Sequence, residues 1–135
     1  MMTIERSIDI EDVIREALIP FFDVYCRPLP KTFLTPSILV TQVGGSQRDK
    51  ADTFDVTLDS RAHTDLQASE TLRNAIGALM EVAKSQESKI ASVTVNTLGS
   101  WGTDPVRADL KMCSARLTVT AHIEKINLEV TNHDE

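Results

Sequence analysis

Three pieces of sequence, taken in order, decide the fold: Ser37-Ile-Leu-Val-Thr-Gln-Val-Gly-Gly45, then Phe54-Asp-Val-Thr-Leu-Asp59, then His63-Thr-Asp-Leu66 opening a long periodic run. Residues 38–43 are mostly apolar and β-branched, the composition of a central strand. Phe54, Val56 and Leu58 alternate with Asp55, Thr57 and Asp59, the period-two pattern of a strand with one buried face. Between them lies Gly44-Gly45-Ser46-Gln47-Arg48-Asp49-Lys50-Ala51-Asp52. That is too long for a tight two-residue turn, so an extended hairpin loop is expected. The glycines are read as the place where positive φ lets the strand leave the sheet.

The run that follows predicts a helix. Thr64 and Gln67 fit a capping box, and Leu66, Leu72, Ile76, Leu79, Met80 and Ala83 give an apolar stripe. Glu70 with Arg73, and Glu81 with Lys84, pair at i,i+3 on the wet side. Gly77 inside this helix costs about 1 kcal/mol relative to Ala, and close packing of helix on sheet is the expected reason for it.

Toward the N-terminus, residues 1–7 read as a loose leader. Ile10, Val13, Ile14, Ala17 and Leu18 then recur at helical spacing, with Ser7 or Asp9 as cap and Pro20 as the stop. Pro28, Pro30 and Pro36 punctuate a stiff connector, and limit Val24-Tyr25-Cys26 to an edge position. Toward the C-terminus, Ala91, Val93, Val95 and Thr97 alternate, and Ala115, Leu117, Val119, Ala121 and Ile123 alternate more strongly. Ile126, Leu128 and Val130 continue with opposite parity, which implies a bulge or a separate strand leaving the sheet. Residues 127–135 read as a C-terminal tail. Residues 99–112 form a second oversized loop carrying Trp101, Asp104, Pro105 and Arg107. The fold class expected over residues 1–135 is α+β in one domain: a single mixed or antiparallel sheet of four to five strands packed against two helices, with long hairpin loops.

Composition limits function. A chain of 135 residues buries roughly 68% of its unfolded surface and needs no metal or disulfide staple. A net charge of −6 argues against gripping a phosphate backbone, and an aromatic content of 4% leaves few stacking platforms. It is compatible with a protein that lets DNA slide past. The polar, acidic N-terminus has no apolar signal core and no apolar run approaches ~18 residues, so the chain is expected to be cytosolic with its two cysteines reduced, although Cys26 and Cys113 could in principle pair.

Chemistry-bearing residues are scattered. His63, His122 and His133 lack metal-ligand spacing, and neither cysteine sits in a CxxC or Cys/His cluster. Asp55 and Asp59 share a strand face, where the wet-face reading outweighs acid–base chemistry. Cys113 near His122 has no orienting third group. Gly44-Gly45-Ser46 opens no helix and is not a phosphate loop. Neither an enzyme nor a bound metal or cofactor is expected. Trp101, flanked by Gly99-Ser100 and Gly102, either folds back on its own domain or anchors a protein interface.

The order of these elements resembles that of tail terminator proteins (tail completion, or head–tail joining, proteins) of long-tailed bacteriophages. The resemblance covers roughly residues 8–126. It is carried by the helix ending before Arg27-Pro28 and Pro30, by Ile38-Leu39-Val40-Thr41-Gln42-Val43-Gly44-Gly45, by Phe54-Asp55-Val56-Thr57-Leu58 feeding the helix with Ala68, Leu72 and Leu79, and by the loop from Gly99 to Pro105 before Leu117-Thr118-Val119-Thr120-Ala121. It implies a virion structural protein located at the head-proximal end of the tail. Its subunits would form a closed ring, typically a hexamer, that caps the tail tube, stops its polymerisation and meets the head-completion or neck protein. DNA would pass through without specific binding.

Ring contacts are expected from polar hairpin tips (Gln47, Arg48, Asp49, Lys50; Trp101, Asp104, Arg107) and from Ile126 and Leu128, which can add a strand to a neighbouring sheet. Two other classes stay open: a head-completion or neck adaptor, which the four long strands disfavour, and a small α+β enzyme or ligand-binding domain using Asp55, Asp59, His122 or Cys113.

Overall fold

The computed structural model describes residues 1–47 and 51–131. Its elements follow from the patterns above. Strand β1 is Met2–Arg6. Helix α1, Ile10–Leu18, is capped by Asp9, whose carboxylate accepts from the Asp12 N–H, and buries Ile10, Ile14 and Leu18. Then come β2 (Asp23–Cys26), β3 (Ser37–Gln47), β4 (Ala51–Ala62), α2 (Asp65–Ala83), β5 (Ile90–Thr103), β6 (Lys111–His122) and β7 (Glu124–Leu128). Thr64 caps α2 by accepting from the Gln67 N–H at 3.1 Å.

Five strands form one sheet in the order β2-β3-β4-β6-β5. Strand β2 runs parallel to β3 and the other pairs are antiparallel, so the sheet is mixed and the fold is α+β. Both helices lie on one face. Val56, Leu58, Leu117 and Val119 point into that layer and meet Leu72, Ala75 and Leu79 of α2 and Ile10, Ile14 and Leu18 of α1.

The strands of both hairpins stay paired farther than their glycines and charges imply. Strands β3 and β4 stay paired out to Gln47 opposite Asp52, with one bulge between Gln42 and Gly44. Gly45 does have a positive φ, but the strand does not leave the sheet there. A Cβ at Gly45 would lie 2.5 Å from the Thr53 carbonyl oxygen, so the close approach of the two strands demands glycine. Likewise β5 continues through Trp101 to Thr103, leaving only 104–110 as the connection to β6. Trp101 is therefore a strand residue, opposite Cys113, rather than a loop residue. Three register irregularities in β5 break the simple alternation, leaving Ala91 exposed while Ile90, Val93 and Val95 face the core layer.

Three other expectations are corrected. Residues 2–6 of the supposed loose leader form β1, which pairs antiparallel with β7 from Met2 opposite Leu128 to Arg6 opposite Glu124. The parity change after Ile123 thus marks a separate strand, and its partner lies in the same chain rather than a neighbour. In α2, Leu66 and Met80 lie outside the buried stripe, which Ala68 and Thr71 help to form. Gly77 is not a close-packing residue either, since a Cβ there would meet nothing within 4 Å.

Candidate functional site

With both helices on one side, the opposite face of the sheet is open at its centre. Asp55, Thr57 and Asp59 of β4, with Ser114, Arg116, Thr118 and Thr120 of β6, supply its surface by the alternation of the strands. Thr94 and Thr97 extend it onto β5. The carboxylates are tied to neighbouring hydroxyls. Ser114 Oγ donates to Asp59 Oδ1 at 2.5 Å, and Thr118 Oγ1 lies 3.4 Å from Asp55 Oδ1 while accepting from Asn96 Nδ2 at 2.6 Å. Asp55 and Asp59 are about 13 Å apart along the strand, too far to act as a carboxylate pair on one bond. The result is a surface rich in hydroxyls, with a cavity of about 250 Å³ lined by Thr57, Thr97, Ser100, Ser114 and Arg116 and with short acidic groups beside those hydroxyls.

One end of this face is closed. Arg61, in phase with Asp55 and Asp59, is covered by the loops 27–36 and 104–110. Its Nε donates to Asp104 Oδ2 at 2.6 Å, with side chains only 8% and 5% exposed. Asp104 Oδ1 accepts the N–H groups of Val106 and Arg107 at 2.8 and 2.7 Å. Burial works against the charge on Asp104. The Arg107 and Val106 amides and the Arg61 guanidinium outweigh it, and hold the carboxyl below its ordinary value. Asp104 was expected at a partner-facing tip; it is instead an internal clamp. Arg107 pairs with Asp109 at 2.9 Å and stacks its guanidinium 5.8 Å from the Phe33 ring centre, so its role is also partly internal.

A second internal device was not legible in the sequence. At the β3 bulge, the Gln42 N–H has a side-chain partner: it donates to Glu11 Oε2 at 2.9 Å. The same oxygen accepts from Arg27 Nη2 at 2.8 Å. Glu11 looks like one more residue on the wet face of α1, and no local signal distinguishes it.

The remaining expected interface residues are dispersed. Gln47 is exposed at the end of β3, and Arg48, Asp49 and Lys50 lie outside the described residues. Trp101 is 54% exposed on the helix-side face of β5. In β7, Leu128 is exposed and Ile126 is half-buried.

The candidate chemistry does not converge. Cys113 faces the core and His122 the other way, at the far end of the same strand. His63 is exposed, with Nδ1 3.8 Å from Asp109, and His133 lies outside the described residues. Both cysteines are free, and three strand spacings, about 14 Å, separate β2 from β6, twice the reach of a disulfide. Burial raises the thiol pKa of both, with Glu11 adding to the shift at Cys26, so each stays protonated. Among the described residues, no three His, Cys, Asp or Glu side chains are disposed to hold a metal ion, and no helix is long and apolar enough to cross a membrane.

No protein-family model matches this chain, and no curated protein matches it.

Proposed function

We propose that this protein acts by geometry rather than catalysis, as the ring-forming tail terminator that its sequence resembles. In that role its copies close into an annulus, a hexamer, on the tail tube. They halt tube growth and present their other side to the head-completion protein. The observation that carries the reading is the two-sidedness of the sheet: one face sealed by α1 and α2, the other an open surface of threonine, serine and aspartate with one exposed arginine, Arg116. Such a surface suits the wall of a channel through which DNA must move without sticking. Hydroxyls offer only weak contacts, and Asp55 and Asp59 repel phosphate. The net charge of −6 acts in the same direction. The paired ends of β3–β4 and β5–β6, level with the ends of the β4–β6 ladder, supply ordered sheet ends with which one subunit can meet another or the tube.

Tube growth in vitro tests this reading. Polymerising tail tube protein should stop elongating when the purified protein is added, with the label found at one end of each tube by electron microscopy. Tubes that lengthen unchanged and carry no label would count against it.

A further inference from the structure

The loops 27–36 and 104–110 do not close completely over Arg61. A cavity of about 230 Å³ remains between them, and Arg61 is its single lining residue from the sheet. Leu29, Phe33, Val106 and two prolines, Pro30 and Pro105, give it apolar walls. Lys31, Arg61 and Arg107 line it as well, against one carboxylate, that of Asp104. Three cations and one anion leave a surplus of two positive charges among the lining residues, in a chain whose net charge is −6. Asp109, the partner of Arg107, lies outside the lining and is exposed.

The polar groups of this cavity are unequally satisfied. Both oxygens of Asp104 are engaged, Oδ2 by Arg61 Nε and Oδ1 by the Val106 and Arg107 amides. Arg61, by contrast, is more than nine-tenths buried, and its Nη1 has no hydrogen-bond partner among the described residues. A buried guanidinium N–H without an acceptor is costly. Arginine can only donate, so what the cavity lacks is an acceptor, and an anionic one suits its surplus charge.

We propose that this cavity binds a small organic carboxylate, a carboxylate group on a short apolar body. The carboxylate accepts from the Arg61 guanidinium with Lys31 and Arg107 beside it, and the body lies against Leu29, Phe33 and Val106. The ligand is small, because pockets for drug-sized molecules run to ~300–1,000 Å³. Inorganic phosphate fits less well. Its oxygens call for several donors, and the two loop amides that could supply them already bond Asp104. A neutral apolar molecule fills the walls but leaves the Arg61 nitrogen without its acceptor. This binding goes beyond the ring reading and does not depend on it.

Titration of the intact protein with benzoate, followed by amide and arginine side-chain NMR, tests it. Benzoate should bind saturably with a dissociation constant of about 1 mM or tighter. It should shift the signals of Phe33, Val106, Arg107 and the Arg61 guanidinium, and raise the melting temperature by binding only the folded chain. Benzyl alcohol (the body without the charge) and inorganic phosphate (the charge without the body) should each bind at least about tenfold more weakly. The double variant Lys31→Gln, Arg107→Gln removes two cations and leaves the Arg61–Asp104 bond in place. It should be folded by circular dichroism and should bind benzoate about tenfold more weakly than the wild type.

Shifts confined to other parts of the molecule, or a double variant that binds as tightly as the wild type, would overturn the site. Benzyl alcohol or phosphate binding as tightly as benzoate would overturn the ligand class. Benzoate that does not saturate the folded protein at any concentration reached would overturn both.

Discussion

Arg61 and Asp104 meet at 2.6 Å beneath two loops, joining the end of β4 to the connection between β5 and β6. Arg61 Nη1 is buried without a hydrogen-bond partner among the described residues, so the bond at Nε matters the more. Asp104→Ala leaves a buried guanidinium uncompensated and removes the acceptor for Val106 and Arg107. A loss of about 3–5 kcal/mol in urea unfolding is expected. A loss below about 1 kcal/mol would mean that solvent reaches the pair freely.

The same pair sets an acid dependence. The folded Asp104 carboxyl titrates below its ordinary value, so the unfolded chain binds its proton first as pH falls. The contribution of Asp104 is therefore complete above the unfolded value of about 3.9 and is lost as pH drops through the lower, folded value. Unfolding midpoints measured across this range should fall less steeply for Asp104→Ala than for the wild type.

How much of this could be read from residues alone depended on the reach of the interaction. The periodicity around Ile38, Val56, Leu72 and Leu117 is local, and it correctly predicted two helices against a mixed sheet. The hairpin ends misled because glycine and charge, which ordinarily mark loops, here sit on paired strands: Gly45 answers to the Thr53 carbonyl across the ladder, not to a turn. Asp104 and Trp101 looked alike as loop residues, yet one is clamped by a residue 43 positions away and the other stands exposed on a strand. Nothing near either in sequence encodes that difference. Met2–Arg6 found its partner at the far end of the chain, beyond any local pattern.

Glu11 provides a sharper case of a hidden role. Its carboxylate satisfies the Gln42 N–H at the β3 bulge as well as Arg27. Glu11→Ala should destabilise by about 1–3 kcal/mol, the cost of a part-buried donor left without its partner. Amide exchange at Gln42 should quicken in the variant, and unchanged exchange there would show that the N–H finds another acceptor.

Gly77 carries the opposite expectation. Its Cβ position is empty space on an exposed helix face, so Gly77→Ala should stabilise the subunit by up to about 1 kcal/mol. Thermal melting of the isolated protein should show a rise of about 2–6 °C. A fall would reveal a packing role that the open space around Gly77 does not contain.

The most direct measurement is electron cryo-microscopy of tail tubes incubated with this protein. A closed annulus of 14.9 kDa subunits is expected at one tube end, with Asp55 and Asp59 of every copy turned toward the bore. Tube ends bare of the protein, or copies bound singly with the open sheet face turned outward, would contradict it.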